Sequence, residues 1–290
     1  MDPTAIVTLD VLHNGVIWGW PVTMNMWAKS VATGVVLVGW FAMRRSADPG
    51  FYRRVIPAIG LVFIAITLLF TLYDLHQPLR AWHLYVWPHL TSMVNIGGWV
   101  LNGFACALVP FAWWAWRDDE RSFDRWIGPM VGLAFVTTVY TGALLGQATA
   151  REIWIAPTEG VQMLLAAGLG GAGALSIAGA GRPADERRLL GSVLGVSAAG
   201  QLLLFLAEIV FAPQKSEESA WVIHELVSGS LGPLFLSGLG LAFLVPALLS
   251  WVAVRTGRQH LFPVAAVCAL AGLWAVKHAW LVAPQLLPLS

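Results

Sequence analysis

Residues 44–74 read RRSADPGFYRRVIPAIGLVFIAITLLFTLYD. Arg44, Arg45, Arg53 and Arg54 crowd the first part of this stretch, and residues 55–74 then carry no basic residue and one acid, Asp74, at their end. About 20 apolar residues at about 1.5 Å each cross the roughly 30 Å of bilayer hydrocarbon. The stretch therefore predicts a membrane helix that starts beside a basic connector. The pattern recurs along the chain. Arg117, Arg121 and Arg125 mark a second basic connector, Arg182, Arg187 and Arg188 a third, and Arg255 and Arg258 a fourth. Twelve of the 17 Lys and Arg residues lie in these four connectors, and the connectors between them hold one each: Arg80, Arg151 and Lys215. Eight apolar runs result, at roughly 15–43, 55–74, 93–116, 127–147, 158–180, 190–212, 223–254 and 261–284. Cytoplasmic loops retain Lys and Arg. The expected protein is thus an all-α, multi-pass membrane chain, with its basic connectors in the cytoplasm and both termini on the outer side.

Composition agrees. The chain is 58% hydrophobic and 11% charged, with mean hydropathy +0.70. No connector is long enough for a soluble domain, so residues 1–290 read as a single membrane domain in contact with lipid. A net charge of +1 leaves no electrostatic footprint for nucleic acid. The first ten residues hold two acids and no base, unlike a cleaved signal peptide, so the first span is expected to be retained. Cys106 and Cys268 fall within spans and outside any CxxC. They read as small buried hydrophobes, with no cysteine-ligated iron–sulfur cluster expected. The first and seventh runs are long, and Pro21 and Pro233 are the expected kink points. Trp18, Trp20, Trp154, Trp221 and Trp280 are read as outer interfacial anchors, and Trp40, Trp113, Trp114, Trp116 and Trp251 as inner ones. Gly168, Gly170, Gly171 and Gly173 follow no strand and precede no Lys-Ser/Thr, so they read as helix-packing residues rather than a phosphate loop.

Polar residues gather in the outer halves of the spans. Lys29 and Lys277 interrupt apolar runs, where a charge costs about 2.5–3.5 kcal/mol on insertion scales. Glu208, Tyr140, Thr141 and Asn25 are also outer, as are His13, His76, His83, His89, His224 and His278; only His260 is inner. Pro21, Asn25 and Lys29 share a helix face with Trp18; Thr137, Tyr140 and Thr141 share another, as do Gln201, Phe205 and Glu208. Trp274, Lys277 and His278 lie within one turn. Donors beside aromatic rings, an apolar channel and a titratable group are what a quinone site needs. Tyr140, Asn25, Trp18, His83 and His278 are the candidate quinone contacts, and Glu208, Lys29 and Lys277 the candidate proton-transfer groups. The structural alternative pairs Lys29 and Lys277 with Glu208 and Asp74 as static ion pairs between helices. A shallow haem b site on His224 and His278 and a secondary transporter with a Lys/Glu site are the competing functions. The first needs facing axial ligands and the second a midplane site with internal repeats. The histidines are superficial, the cluster is off-centre and no repeat is visible. No haem and no metal site is therefore expected.

Two segments carry a family resemblance. One is Asp74-Leu75-His76-Gln77-Pro78-Leu79-Arg80-Ala81-Trp82-His83 with Pro88-His89-Leu90-Thr91-Ser92-Met93-Val94-Asn95-Ile96-Gly97-Gly98-Trp99. The other is Tyr140-Thr141-Gly142-Ala143-Leu144-Leu145-Gly146 with Arg151-Glu152-Ile153-Trp154. Both resemble motifs of the NrfD-like (polysulfide reductase membrane subunit) family, and the end of the first span, Ser30 to Gly34, is similar to that family's first helix. Gln77, Ala81 and Met93 depart from the pattern, and Lys29 is not part of it. The resemblance implies two four-helix bundles, here 15–147 and 158–284. It implies a membrane anchor that exchanges electrons between menaquinone or ubiquinone and a four-cluster ferredoxin-like iron–sulfur subunit, which serves a molybdopterin-type catalytic subunit. It assigns a quinone contact to Tyr140, aligns Asn25 and Val22 with two further contact positions, and puts the iron–sulfur partner against the outer loop. Asp74, His76, Arg80, Trp82, Trp87 and Arg151 are the expected partner contacts.

Overall fold

A computed structural model of the chain describes residues 15–75, 77–89 and 91–287. Among these the protein is helical throughout, without a strand. The helices are α1 (Trp20–Met43), α2 (Pro49–Asp74), α3 (His83–Val86), α4 (Met93–Trp116), α5 (Glu120–Gly146), α6 (Ala156–Ala178), α7 (Ala184–Phe211), α8 (Glu217–Val227), α9 (Gly232–Leu239), α10 (Val245–Thr256) and α11 (Leu261–Val282). A π-helical turn, Gly240–Leu244, joins α9 to α10 as one span. With α1, α2, α4, α5, α6, α7 and α11 this makes eight segments long and apolar enough to cross a bilayer. The protein is a multi-pass membrane protein. An even number of crossings returns the chain to its starting side, and Gln285 ties the two ends together there. Its Oε1 accepts from the Ile17 and Trp18 amides at 3.1 and 2.8 Å, and its Nε2 donates to the Trp18 carbonyl at 3.0 Å.

Local chemistry sets the helix ends. Pro21, Pro49, Pro157 and Pro233 stand in first turns, where the missing amide is no loss. Pro21 and Pro233 therefore start helices rather than kink them. Ser92 and Asp119 cap α4 and α5 by accepting from the amides of Asn95 and Ser122. The Asp119 cap lets the fourth span begin at Glu120, seven residues before its apolar run. Gly257, at φ +72°, ends α10 in the left-handed conformation that favours glycine.

The seventh span differs most from its expected 223–254. Residues 217–227 form the separate helix α8, and the crossing starts only at Gly232. Glu225 makes the break. Its carboxylate accepts from the Ser230 amide at 2.8 Å, the Leu231 amide at 3.3 Å and the Ser230 hydroxyl. The Ser230 hydroxyl and these amides hold that carboxyl below its usual range. His224 consequently lies on α8, exposed, outside the spans.

α1 and α6 are the inner helices: 78% and 67% of their apolar windows are buried, against 28% for α2 and α4. α1, α2, α4 and α5 form one cycle of neighbours, α6, α7, α10 and α11 another, and the cycles meet chiefly along α1 and α6. Gly34 and Gly171 face each other at that seam, where a methyl group on either would overlap the other's backbone. Gly168 faces Ser197 of α7 and Gly173 faces Leu270 of α11, so the glycine run does pack helices. Trp154 and Trp280, expected at the interface, are each 4% exposed and belong to the core. Cys106, expected buried, is exposed on α4.

The basic connectors are knitted by acids. Arg182 bonds Asp48 at 2.7 Å and Glu186 at 2.9 Å and lies over Phe51; Tyr52 donates to Glu186 at 3.1 Å. Its guanidinium holds the Asp48 carboxyl below the usual range. Arg53 bonds Asp124 and Glu120 at 2.6 and 2.9 Å, and Arg54 bonds Asp118 at 2.8 Å.

Candidate functional site

The start of α1, the end of α5, the start of α6 and the ends of α7 and α11 share the side opposite those connectors. Lys29 enters this region from α1, nine residues past its first turn residue Trp20, or roughly 14 Å along the axis at 1.5 Å per residue. It is 2% exposed. Its ammonium donates to the Thr141 hydroxyl of α5 and sits 4.4 Å from the centroid of the Tyr140 ring. Gly97 of α4 lies against the same ring, and any side chain there would strike it. The aromatic face offsets part of the cost of burying the cation. No acid forms an ion pair with Lys29 among the described residues.

Asn25, one turn outward, faces a different helix. Its amide donates to the Thr67 carbonyl at 3.2 Å and to the Thr71 hydroxyl of α2. Trp18 stacks on Trp154, centroids 5.6 Å apart, beside the Gln285 tie. His278 shares a 3.0 Å hydrogen bond with Thr23 of α1 and stacks flat on Trp274. Lys29, Tyr140 and Thr141 are thus brought together, while Asn25, Trp18 and His278 occupy neighbouring positions with partners of their own.

The structural alternative, a static Glu208–Lys277 ion pair, does not form. Glu208 bonds Lys215 at 3.4 Å, and Lys215 is 38% exposed at the rim. Lys277, 8% exposed, points at the Met163 sulfur at 3.4 Å and interacts electrostatically with Glu159 and Lys29. Glu159 was not singled out by the sequence. It is fully buried in the first turn of α6, and its Oε1 accepts from Trp280 Nε1 at 2.8 Å. Gln201 of α7 donates to the Gln162 carbonyl at 2.7 Å just below. The sequence signal was slight: Glu159 stands at the edge of the 158–180 run, with Gln162 one turn further in.

The loop between α2 and α4 is pinned yet exposed. Asn95 donates to the Leu84 carbonyl at 2.8 Å, and Asn102 donates to the Tyr85 hydroxyl. Trp82, His83 and Trp87 form an exposed aromatic cluster, with Leu79 90% exposed beside them. Arg80 is exposed, Asp74 and Arg151 are half-buried, and His76, like His13, lies outside the described residues. No group of three or more His, Cys, Asp or Glu side chains that could hold a metal gathers among the described residues.

Eight apolar helices with Lys29, Glu159, Glu208 and Lys277 buried among them define a multi-pass membrane protein. The family model Polysulphide reductase, NrfD, matches residues 10–288, and the protein belongs to that family. It is 24% identical over 307 residues to a component of the polysulfide reductase of Wolinella succinogenes, an alignment that takes in 94% of this protein and 96% of that one. It is 32% identical over 101 residues to a component of the tetrathionate reductase of Salmonella typhimurium, 32% of this protein and 29% of that one.

Proposed function

We propose that this protein is the quinone-interacting membrane anchor of a multi-subunit respiratory oxidoreductase. It passes electrons between menaquinone or ubiquinone and a four-cluster ferredoxin-like iron–sulfur subunit, which serves a molybdopterin-type catalytic subunit. Family membership and the relatives' names, both of them parts of reductases, support this reading. The observation that carries it is the Lys29–Tyr140–Thr141 group. A structural lysine in hydrocarbon is normally neutralised by an acid. Here its contacts are a ring and a hydroxyl, which leaves N–H donors for an electron-rich ligand oxygen.

The residues fit a quinone headgroup. The donor set is an ammonium and a phenol amid apolar helices, the combination that holds a ring carbonyl without hydrolytic chemistry. A bound quinone supplies two-electron, two-proton redox chemistry. Lys29 and Tyr140 donate to a ring oxygen, and the Lys29 charge stabilises negative charge developing there. Asn25 and Trp18 border the site one turn or more outward, and His278 and His83 stand toward the rim. Glu208, with Lys215, exchanges protons with the outer aqueous side; Lys277 and Lys29 tune the charge balance. The two neighbour cycles are taken as the two bundles, 15–147 and 158–284.

The outer loop docks the iron–sulfur subunit. Leu79, Trp82 and Trp87 expose apolar surface that a contact would desolvate, and Arg80, Asp74 and Arg151 supply its polar rim. Electron transfer requires the cluster close to the headgroup, which also favours this side. Orientation follows the arginines: the four basic connectors face the cytoplasm of a bacterial inner membrane.

Tyr140→Phe tests the headgroup assignment. The complex assembles, and quinol-linked turnover falls about tenfold or more with loss of one oriented donor. Wild-type turnover in the assembled variant overturns the role of Tyr140.

A further inference from the structure

Glu159 has no place in the reading so far, and its surroundings are those of a working carboxyl. One oxygen, Oε1, is fixed by Trp280. The other, Oε2, is buried with no hydrogen-bond partner among the described residues. A buried carboxyl oxygen without a donor is open to a proton. Toward this side, the helices packed most closely on α6 carry the ionisable groups Lys29 on α1, Tyr140 on α5, Glu208 on α7, and Lys277 and His278 on α11. Of these, Lys277 and Glu208 interact electrostatically with Glu159. Lys277 in turn acts on Lys29, and Glu208 reaches outward to half-exposed Lys215. Packing brings the groups together: Thr23 and His278 join α1 to α11, Lys277 reaches Met163 one turn from Glu159 on α6, and Phe205, one turn before Glu208 on α7, packs on Trp280, the donor to Glu159.

We propose that Glu159 is the relay carboxyl that carries protons between the headgroup site at Lys29 and Tyr140 and Glu208 at the outer rim. The inference rests on the quinone reading above. When the iron–sulfur partner takes two electrons from a hydroquinone, two O–H bonds break and two protons must leave. Glu159 takes them one at a time: its carboxylate becomes a carboxylic acid, then returns to carboxylate as the proton passes to Glu208 and out. Quinone reduction runs the same path inward, with the partner supplying the electrons.

The test uses the intact complex with its partner subunits. Infrared titration without added quinone should show a carboxylic acid C=O band that follows pH and shifts in D2O. The band is expected to vanish in Glu159→Gln and to persist in Glu208→Gln. With menadiol as the soluble quinol, each variant should turn over about tenfold more slowly, and Glu159→Asp should recover part of the rate. The double variant should be no slower than the slower single one, because groups in series are not additive. Glu208→Gln leaves only half-exposed Lys215 unpaired, so assembly is retained. A titration unchanged by Glu159→Gln, wild-type turnover, or additive losses overturns the relay. If Glu159→Gln does not assemble, Trp280→Phe keeps the carboxyl and removes its one donor. The band and the pH midpoint of turnover should then move, the midpoint by about one pH unit; an unmoved band and midpoint overturn the proposal. Loss in Glu159→Gln with wild-type turnover in Tyr140→Phe sinks the assignment of Tyr140 to the headgroup site, and the reverse pair sinks the relay alone.

Discussion

Lys29 is the residue on which the account turns. It stands in the most buried helix, with a hydroxyl and an aromatic ring for company. Replacing it by methionine keeps the stem and removes the charge, so a lysine that only burdened the fold would be lost with a gain in stability. If it holds the headgroup, Lys29→Met should assemble at least as well as wild type, weaken quinol affinity, and slow turnover by about ten- to a hundredfold. Thermal melting of the complex beside a quinol titration checks both halves, and unchanged affinity would argue for a structural lysine. Lys29 and Tyr140 were each legible in the sequence, one as a charge in an apolar run and the other as part of a motif. Their contact was not, because it depends on how closely α1 approaches α5. Glu159 was missed for a different reason. Acids are ordinary in the first turn of a helix, where the dipole favours them, so a glutamate at the edge of an apolar run looks like its boundary. Only the burial of that turn against Trp280 makes it exceptional.

At the scale of elements, α4 controls the Tyr140 ring through Gly97. A methyl group there meets the ring directly, and overpacking of this kind costs about 1–3 kcal/mol when neighbours must move. Lys29 also lies over the ring, so the ring must turn or α4 must shift. Gly97→Ala is expected to leave membrane insertion and subunit assembly in place while reducing quinol turnover; native-gel assembly and a menadiol assay separate the two. Unaltered turnover would mean that the ring's position is irrelevant to activity. Elements also show what hydropathy can and cannot resolve. The apolar runs placed seven of the eight spans to within about seven residues. The eighth case, 223–254, was read as continuous because leucine and valine persist through it. The break belongs to one carboxylate, Glu225, bonding the backbone at Ser230 and Leu231, a local event that hydropathy averages away.

The whole molecule has a plain polarity. One side is closed by arginine–carboxylate pairs that join neighbouring helices, Arg182 to Asp48 and Glu186 and Arg53 to Glu120 and Asp124. The other side gathers the buried ionisable groups, the exposed aromatic loop and the Gln285 tie between the two ends of the protein. The arginine layout made this asymmetry readable from sequence, whereas the meeting of two helix cycles at Gly34 and Gly171 required the packed structure. The central claim is that a quinone headgroup sits in the outer half between α1 and α5. Photolabelling of the intact complex with an azidoquinone, followed by mass spectrometry of its peptides, tests it most directly. The account predicts label on peptides containing Lys29 or Tyr140, abolished by excess menadiol. Label confined to the inner halves of the helices near Arg53 and Arg182, or no label that menadiol displaces, would contradict it.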